Sequence, residues 1–221
     1  MRGVEDVEVY IDDIGAFSNS WEDHCKVLST VLRRLRENGF TINPLKCEWT
    51  VKETNWLGYW LMPRGLKPWS KTIDAILHMD CPKTPKELRK FIGMVNYCRD
   101  MWPSRVHILK PLTDKAGLKK GQPLEWTDEM QAAFDKMKLL LAADALAAYA
   151  DYNKSFDIYT DSSDYQLGAC ICQDCRPVAY FSRKLSKSQQ NYITMEKEML
   201  SSIVATLEEF RSMLLGAEIH I

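Results

Sequence analysis

The chain has 221 residues, of which 46% are hydrophobic and 27% are charged, and its formal net charge is -1 at pH 7. These values exclude an intrinsically disordered polypeptide and suffice for a buried core in one large domain or two small ones. The longest apolar runs are about six residues, far short of the ~20 that a membrane-spanning helix needs, so no membrane partner is expected.

Charge is unevenly distributed along the chain. The segment from Lys26 to Lys120 holds 19 Lys and Arg against 8 Asp and Glu, a balance of +11, whereas the remainder balances at -12. Such a basic segment is typical of a surface that binds a polyanion, although solvated basic helix faces produce the same pattern. The seven Cys are odd in number and scattered, which favours reduced thiols in an intracellular compartment over a disulfide framework.

The first third of the chain predicts an α+β layer. Ser20 and Asp23 resemble a capping box that opens a helix, and Gly39 is suited to end it. The other elements expected here are strands at residues 7–11, 15–18, 40–43 and 48–51, followed by a hairpin made of 56–61 and 66–67.

The remainder is predicted to be helical first and then strand-rich. Thr84 and Thr127 are suited to cap two helices within residues 70–141, with a loop at 117–123 between them. Strands at 156–161, 167–173 and 178–182 are spaced for an antiparallel meander. A long helix over 188–214 and the start of a further strand at 218–221 complete the prediction.

Two consecutive carboxylates, Asp12 and Asp13, follow the first strand. Crowded carboxylates repel each other unless divalent cations neutralise them, and such oxygen ligands suit the Mg²⁺ or Mn²⁺ of a two-metal phosphoryl-transfer site. For the bare dipeptide, an Asp pair in an ordinary β-turn is the favoured interpretation, so the flanking residues decide between the two.

Tyr10-Ile11-Asp12-Asp13 resembles the Tyr-x-Asp-Asp hairpin of reverse transcriptases. Further segments are similar, in the same order, to the polymerase region of gypsy-like (Metaviridae) long-terminal-repeat retrotransposons: Lys46 after the helix, the primer-grip hairpin at 56–59 and 63–68, a thumb helix at 88–99 and a connection at 111–112 and 126–134. The resemblance implies that Asp12 and Asp13 are catalytic metal ligands. It also implies that Tyr10, Lys46, Leu57, Gly58 and Tyr59 contact nucleotide or nucleic acid, and that each active site holds two Mg²⁺ or Mn²⁺ ions.

The last third resembles the ribonuclease H domain of the same elements. The segment 160–163 ends a strand, and 177–186 and 191–198 follow with the spacing of that domain. The resemblance implies that Asp161 is the strand ligand and Glu198 the helix ligand of a second two-metal site. Glu196 is the alternative to Glu198, which is preferred because Met199-Leu200 follows it as in the family.

The resemblance implies an α+β fold in three parts. These are the C-terminal half of a reverse-transcriptase palm (1–69), a helical thumb and connection (70–150), and the N-terminal part of a ribonuclease H-like α/β domain (151–221). The expected function is that of a Pol polyprotein fragment, truncated at both ends, whose intact parent performs RNA-directed DNA polymerisation and cleaves RNA–DNA hybrids. Only nine residues precede Tyr10, so we expect further palm ligands to lie upstream and the chain to be inactive alone.

Two other functions fit the same residues. The chain is then either a non-enzymatic binder of RNA–DNA hybrid or template–primer duplex through its basic segment, or a subunit completed in trans by the missing Pol segments. Because members of this family work in cytoplasmic particles, the resemblance implies an intracellular location in such a particle. Cys170, Cys172 and Cys175 have a spacing reminiscent of zinc ligands, but a fourth ligand is missing nearby and a buried packing role is favoured.

Overall fold

The structure, a computed structural model, describes residues 3–119, 122–143, 145–200 and 206–221. The chain forms two compact units, residues 1–56 and 57–221. Helices and mostly antiparallel strands alternate in blocks, which agrees with the α+β class expected from the sequence.

The first unit contains a β-hairpin followed by a long helix. Strands β1 (Val7–Tyr10) and β2 (Asp13–Ala16) pair antiparallel, helix α1 covers Trp21–Glu37, and a short strand β3 covers Thr54–Trp56. The Ser20 hydroxyl accepts a hydrogen bond from the backbone N–H of Asp23 at 3.1 Å, and the helix ends before Gly39, whose φ is +72°. The capping residues predicted for this helix are confirmed.

The strands predicted at 40–43 and 48–51 are wrong. A 3₁₀ turn at Pro44–Lys46 follows instead, and the Asn43 side chain caps it by accepting a hydrogen bond from the N–H of Leu45 at 3.0 Å. Proline fixes its own φ near the helical value and lacks an N–H for a strand ladder, so an Asn-Pro pair favours a capped turn over extended pairing.

The second unit begins with a hairpin and a set of helices. The hairpin joins β4 (Tyr59–Met62) and β5 (Gly65–Pro68), as the sequence predicts. The helices are α2 (Ser70–Leu77), α3 (Pro85–Tyr97), α4 (Arg105–Thr113) and α5 (Asp128–Ala142). Phe91, Leu112 and Met137 are among the fully buried side chains of their common core. Thr84 and Thr127 cap α3 and α5 as predicted, and Lys120 and Gly121 of the predicted loop lie outside the described residues.

A four-stranded sheet with the order β8-β7-β6-β9 follows. Strands β6 (Phe156–Ser162), β7 (Gln166–Gln173) and β8 (Arg176–Lys184) form the predicted antiparallel meander, whereas β9 (Ile219–His220) pairs parallel with the start of β6. A second core lies on this sheet and includes Phe156, Ile171 and Leu214.

The single helix predicted over 188–214 is wrong in the described residues. A 3₁₀ turn at Gln189–Asn191 is followed by extended backbone, so the helical part begins only at Thr194. Helix α6 covers Thr194–Met199, α7 covers Thr206–Glu209, and Phe210 separates α7 from α8 (Arg211–Leu214). The carboxylate of Glu196 accepts a hydrogen bond from the N–H of Ile193 at 3.1 Å, which fixes a helix start at Thr194. Residues 201–205 of the prediction lie outside the described part. No described helix combines the length and apolarity required to span a bilayer.

Candidate active sites

The first candidate site is the tip of the β1–β2 hairpin. Tyr10 pairs with Asp13 across the ladder, so only Ile11 and Asp12 form the loop. Ile11 has a φ of +55° and is 84% exposed. A positive φ at the first position of a two-residue loop suits the right-handed twist of the strands, but it strains a β-branched residue. The structure therefore keeps a strained, solvent-facing residue next to the carboxylates.

Both carboxylates of this hairpin are exposed. Asp12 lies in the loop and Asp13 is the first residue of β2. Because the loop has only two residues, it displays adjacent acidic side chains at one end of a strand pair, where water or a cation can reach them. Tyr10, at the last position of β1, is also more than half exposed.

Lys46 lies at the end of the 3₁₀ turn with its side chain exposed. Within the described residues no salt bridge joins its ammonium to Asp12 or Asp13. The structure thus places the three residues in the same unit without pairing them directly.

Leu57 and Gly58 form the turn that leads into β4. Both have a positive φ, +48° and +78°, and the hydroxyl of Tyr97 donates a hydrogen bond to the carbonyl of Leu57 at 2.9 Å. A Cβ on Gly58 would lie 2.5 Å from the Tyr97 ring, so the close approach requires glycine.

The side chain of Tyr59 faces the helices. Its hydroxyl donates a hydrogen bond to the carboxylate of Asp100 at 3.0 Å. Burial, together with the nearby Asp100 charge, raises the pKa of Tyr59 above its ordinary value. The phenol is therefore a neutral donor that joins the hairpin to the 3₁₀ turn Arg99–Met101, which follows α3.

The second candidate site lies at the end of β6. Asp161 pairs with Gly168 of β7 and its side chain is exposed. Helix α6 packs against β6 and carries Glu198, which is also exposed, while Glu196 uses its carboxylate to cap the start of the same helix. The structure thus brings the element bearing Glu198 onto the strand bearing Asp161.

Sequence reasoning missed Lys197, which lies between the two glutamates. Lys197 is only 6% exposed, and its ammonium donates a hydrogen bond to the carboxylate of Asp164 at 2.7 Å. This contact joins α6 to the turn after β6. A lysine flanked by glutamates on a short helix is typical of a solvated face, so the sequence carries no signal for its burial.

The carboxylate pairs supply the hard oxygen donors that Mg²⁺ and Mn²⁺ prefer. Within the described ranges, no group of three or more His, Cys, Asp or Glu side chains is arranged to hold a metal ion. The donors fit such an ion chemically, and each site would need further ligands or water to complete its coordination. The thiols of Cys170 and Cys172 lie 3.3 Å apart, with Cys172 buried, and burial raises the pKa of Cys170. This arrangement agrees with the packing role expected for them.

Two family profiles match the chain. Residues 4–61 match "Reverse transcriptase (RNA-dependent DNA polymerase)", and residues 126–221 match "RNase H-like domain found in reverse transcriptase". The first match contains the β1–β2 hairpin, and the second contains the four-stranded sheet with Asp161 and helix α6 with Glu198.

Curated relatives cover nearly the whole chain. The Retrovirus-related Pol polyprotein from transposon 297 of Drosophila melanogaster is 35% identical over 95% of this chain and 20% of its own length. The Transposon Tf2-3 polyprotein of Schizosaccharomyces pombe is 35% identical over 93% of this chain and 16% of its own length. The chain therefore spans about a fifth of the length of these relatives.

Solved structures share the fold. The foamy viral protease-reverse transcriptase in complex with RNA/DNA hybrid has a TM-score of 0.89 at 23% identity, covering 98% of this chain and 30% of that one. The same protein in complex with dsDNA has a TM-score of 0.87 at 23% identity, covering 99% of this chain and 46% of that one. The chain thus corresponds to a segment of a transposon Pol polyprotein that carries reverse-transcriptase and RNase H-like sequence.

Proposed function

We propose that this chain contributes part of the polymerase site and part of the ribonuclease H site of a gypsy-like long-terminal-repeat retrotransposon. Asp12 and Asp13 are the polymerase ligands, and Asp161 and Glu198 are the ribonuclease H ligands. The substrate is an RNA–DNA hybrid or a template–primer duplex. The division into palm (1–69), thumb and connection (70–150) and ribonuclease H-like part (151–221) belongs to the same proposal.

The β1–β2 hairpin is the observation that carries the proposal. Its two-residue loop holds Ile11 at a φ of +55° and leaves Asp12 and Asp13 exposed at the tip. Backbone strain of this kind persists only where the surrounding structure enforces it, and it concentrates at functional sites. The match of residues 4–61 to reverse transcriptases supports a catalytic role for this tip.

Helix α6 supports the choice of Glu198 over Glu196. The Glu196 carboxylate already accepts the N–H of Ile193 at 3.1 Å, so moving it onto a metal ion would break the helix cap. Glu198 is exposed on a helix that packs against the strand bearing Asp161. One helix therefore carries a structural glutamate and a glutamate suited to bind a metal ion.

Paired Mg²⁺ or Mn²⁺ ions, when bound, lower the barrier to phosphoryl transfer by neutralising the charge that develops on the phosphate oxygens. The chain's own residues provide carboxylate oxygens at strand ends and a hairpin that displays them to solvent. Because the described residues offer no cluster of three such ligands, the remaining donors must come from other Pol segments, water or substrate.

Local cleavage by bound Fe²⁺ tests the assigned ligands in the chain as it stands. Fe²⁺ binds oxygen-rich divalent sites and, with ascorbate and peroxide, cuts the backbone close to the ion. We expect cuts near residues 12–13 and 161 that excess Mg²⁺ suppresses. Asp12→Asn should abolish the first cut and leave the second.

Glu8→Gln is the matched control for Asp12→Asn, because Glu8 is an exposed carboxylate of the same hairpin. Asp157→Asn is the control for Asp161→Asn, since Asp157 lies on the same strand. Cuts at neither position, or equal losses in the control variants, would contradict the assignment.

A second function, binding of nucleic acid without catalysis, is favoured by the basic segment from Lys26 to Lys120. Exposed cations of α3, including Lys86 and Lys90, lie on this segment. Binding through phosphate contacts weakens steeply as salt rises. If the chain neither binds the hybrid nor is cut by Fe²⁺ near residues 12–13 and 161, both functions are contradicted. Salt-sensitive hybrid binding without these metal-directed cuts favours the binding role.

A further inference from the structure

A cavity of about 310 Å³ lies in the second unit, and neither Asp161 nor Glu198 is among the residues that line it. Its walls are formed by β4, the end of α3, the 3₁₀ turn Arg99–Met101, the first residue of α4, strand β8 and the end of α7. Its volume is at the small end of the range for ligand pockets, about 300–1,000 Å³, which suits a ligand of few atoms.

Three arginines line this cavity: Arg99, Arg105 and Arg183. Arg105 is only 7% exposed, which is unusual for a residue that stays charged in proteins. Its guanidinium donates to the side-chain oxygen of Asn96 and, at 3.5 Å, to the carbonyl of Ser182. Neither acceptor carries a charge, so neither compensates the buried cation as a carboxylate would.

Two carboxylates, Asp100 and Glu209, also line the cavity. Glu209 accepts a hydrogen bond from Arg99, and Asp100 accepts one from the hydroxyl of Tyr59 at 3.0 Å. In the described part of the chain, no carboxylate lies within salt-bridge distance of Arg105 or Arg183. Arg105 and Arg183 therefore have no close ion pair among the described residues, although the Asp100 charge acts on Arg105 from a longer distance.

Two of these arginines also have a buried donor without an acceptor. The Nε atoms of Arg105 and Arg183 are buried and have no hydrogen-bond acceptor in the described structure. A buried donor without an acceptor is costly, and native proteins usually supply one. Burial and the neighbouring Arg99 charge also lower the pKa of Arg105 to about 10, while the Asp100 charge acts in the opposite direction.

We propose that this cavity is an anion site for a phosphate group, bound by Arg105 and Arg183. A tetrahedral oxyanion offers several acceptors to the guanidinium groups that line the cavity, and arginine is the side chain best matched to phosphate geometry. The phosphate comes either from a small free anion or from a nucleic-acid backbone. The site is independent of the metal-binding carboxylates proposed above.

Isothermal titration calorimetry of the full chain with inorganic phosphate tests the site, and titration with NaCl at matched ionic strength serves as the blank. We expect saturable binding by the wild type and an affinity at least about tenfold lower for Arg183→Gln, because a charge-assisted acceptor loses its donor. Arg176→Gln is the matched control, since this arginine lies on the same strand but bonds the carbonyl of Arg64 at 2.7 Å instead of lining the cavity.

Competition with a short RNA–DNA hybrid distinguishes the two sources of phosphate. Hybrid affinity that falls in Arg183→Gln and is reduced by inorganic phosphate assigns the site to a backbone phosphate. Unchanged hybrid affinity assigns it to a free anion, and phosphate binding without hybrid binding would leave this site standing while the proposed function fails. Arg105→Lys serves as a second variant, with circular dichroism to verify its fold.

Two results would overturn the proposal. One is the absence of saturable phosphate binding by a folded wild-type chain. The other is an equal loss of phosphate affinity in Arg183→Gln and Arg176→Gln, because that equality would trace binding to general surface charge.

Discussion

The ammonium of Lys197 donates a hydrogen bond to the carboxylate of Asp164 at 2.7 Å, although Lys197 is buried and the Asp164 side chain is 99% exposed. One end of this ion pair is enclosed by protein and the other faces water. The pair joins helix α6, which carries Glu198, to the turn that follows the strand bearing Asp161.

A double-mutant cycle on this pair should reveal strong coupling. Asp164→Ala leaves a buried ammonium without its carboxylate, so we expect the Tm to fall by a few degrees. Lys197→Met removes the buried charge altogether and should lower the Tm by less, because replacing a buried ion pair by apolar groups is often close to neutral. Adding Asp164→Ala to Lys197→Met should then change the Tm little. Additive losses in thermal denaturation would contradict the coupling.

Stability should depend on pH through the same pair. The Lys197 ammonium holds the pKa of Asp164 below its ordinary value, chiefly through the hydrogen bond between them. The folded chain therefore binds this proton less readily than the unfolded chain does. The stabilisation is fully present above the pKa of an unperturbed Asp, about 3.9, and is lost as the pH falls through the lower pKa of the folded state.

Urea titrations of the wild type and Asp164→Asn at several pH values would measure this contribution. The stability difference between the two should shrink below about pH 4. A difference that stays constant into that acid range would show that the ion pair does not set it.

Gly58→Ala should destabilise the second unit by about 1–3 kcal/mol. The added Cβ would meet the Tyr97 ring at 2.5 Å, and the φ of +78° is unfavourable for alanine. Gly117→Ala is the matched control, because no neighbouring atom lies within 4 Å of its added Cβ. Chemical denaturation compares the two variants, and similar midpoints would argue against a steric requirement at Gly58.

Ile11→Gly should stabilise the first unit by up to about 1 kcal/mol, since glycine adopts a positive φ without strain and Ile11 is 84% exposed. Leu45→Gly, at an even more exposed position that has no positive φ, should instead destabilise it. The free energy of unfolding from urea titration distinguishes the signs. If Ile11→Gly is the less stable chain, the hairpin tip is not strained.

Hybrid binding should depend on individual cations of α3. Neutralising one phosphate contact lowers the salt slope of log affinity by about 1, so Lys86→Gln and Lys90→Gln should each reduce it by about that amount if both touch phosphate. Lys154→Gln is the control, because Lys154 already pairs with Asp174 at 2.7 Å and lies outside the basic segment. Fluorescence anisotropy at several salt concentrations provides the slopes, and identical slopes in all variants would remove α3 from the interface.

Local signals in the sequence predicted much of the fold. The caps Ser20, Thr84 and Thr127 act within one helical turn, so their residue types sufficed to place helix starts. Errors arose where a short-range contact competed with periodicity. The Asn43 side chain caps a 3₁₀ turn next to an expected strand, and the Glu196 carboxylate caps a helix that starts at Thr194.

The candidate sites depended more on long-range packing. The sequence predicted carboxylates at strand ends, and the structure places Asp12, Asp13 and Asp161 at such positions. Their role as metal ligands stays a prediction. Burial of Lys197 and Arg105 could not be read from the chain, because each contacts elements far away in sequence and charged residues are ordinarily solvated.

The parallel pairing of β9 with the start of β6 has a consequence for motion in the sheet. Phe156 pairs with β9, and Asp157 pairs with both β9 and β7. Phe156 and Ile158 are almost fully buried. Amides in such a strand exchange with solvent only when the surrounding unit opens cooperatively. Asp161 stands three residues beyond Ile158, so the candidate carboxylate lies on the strand whose start is protected in this way.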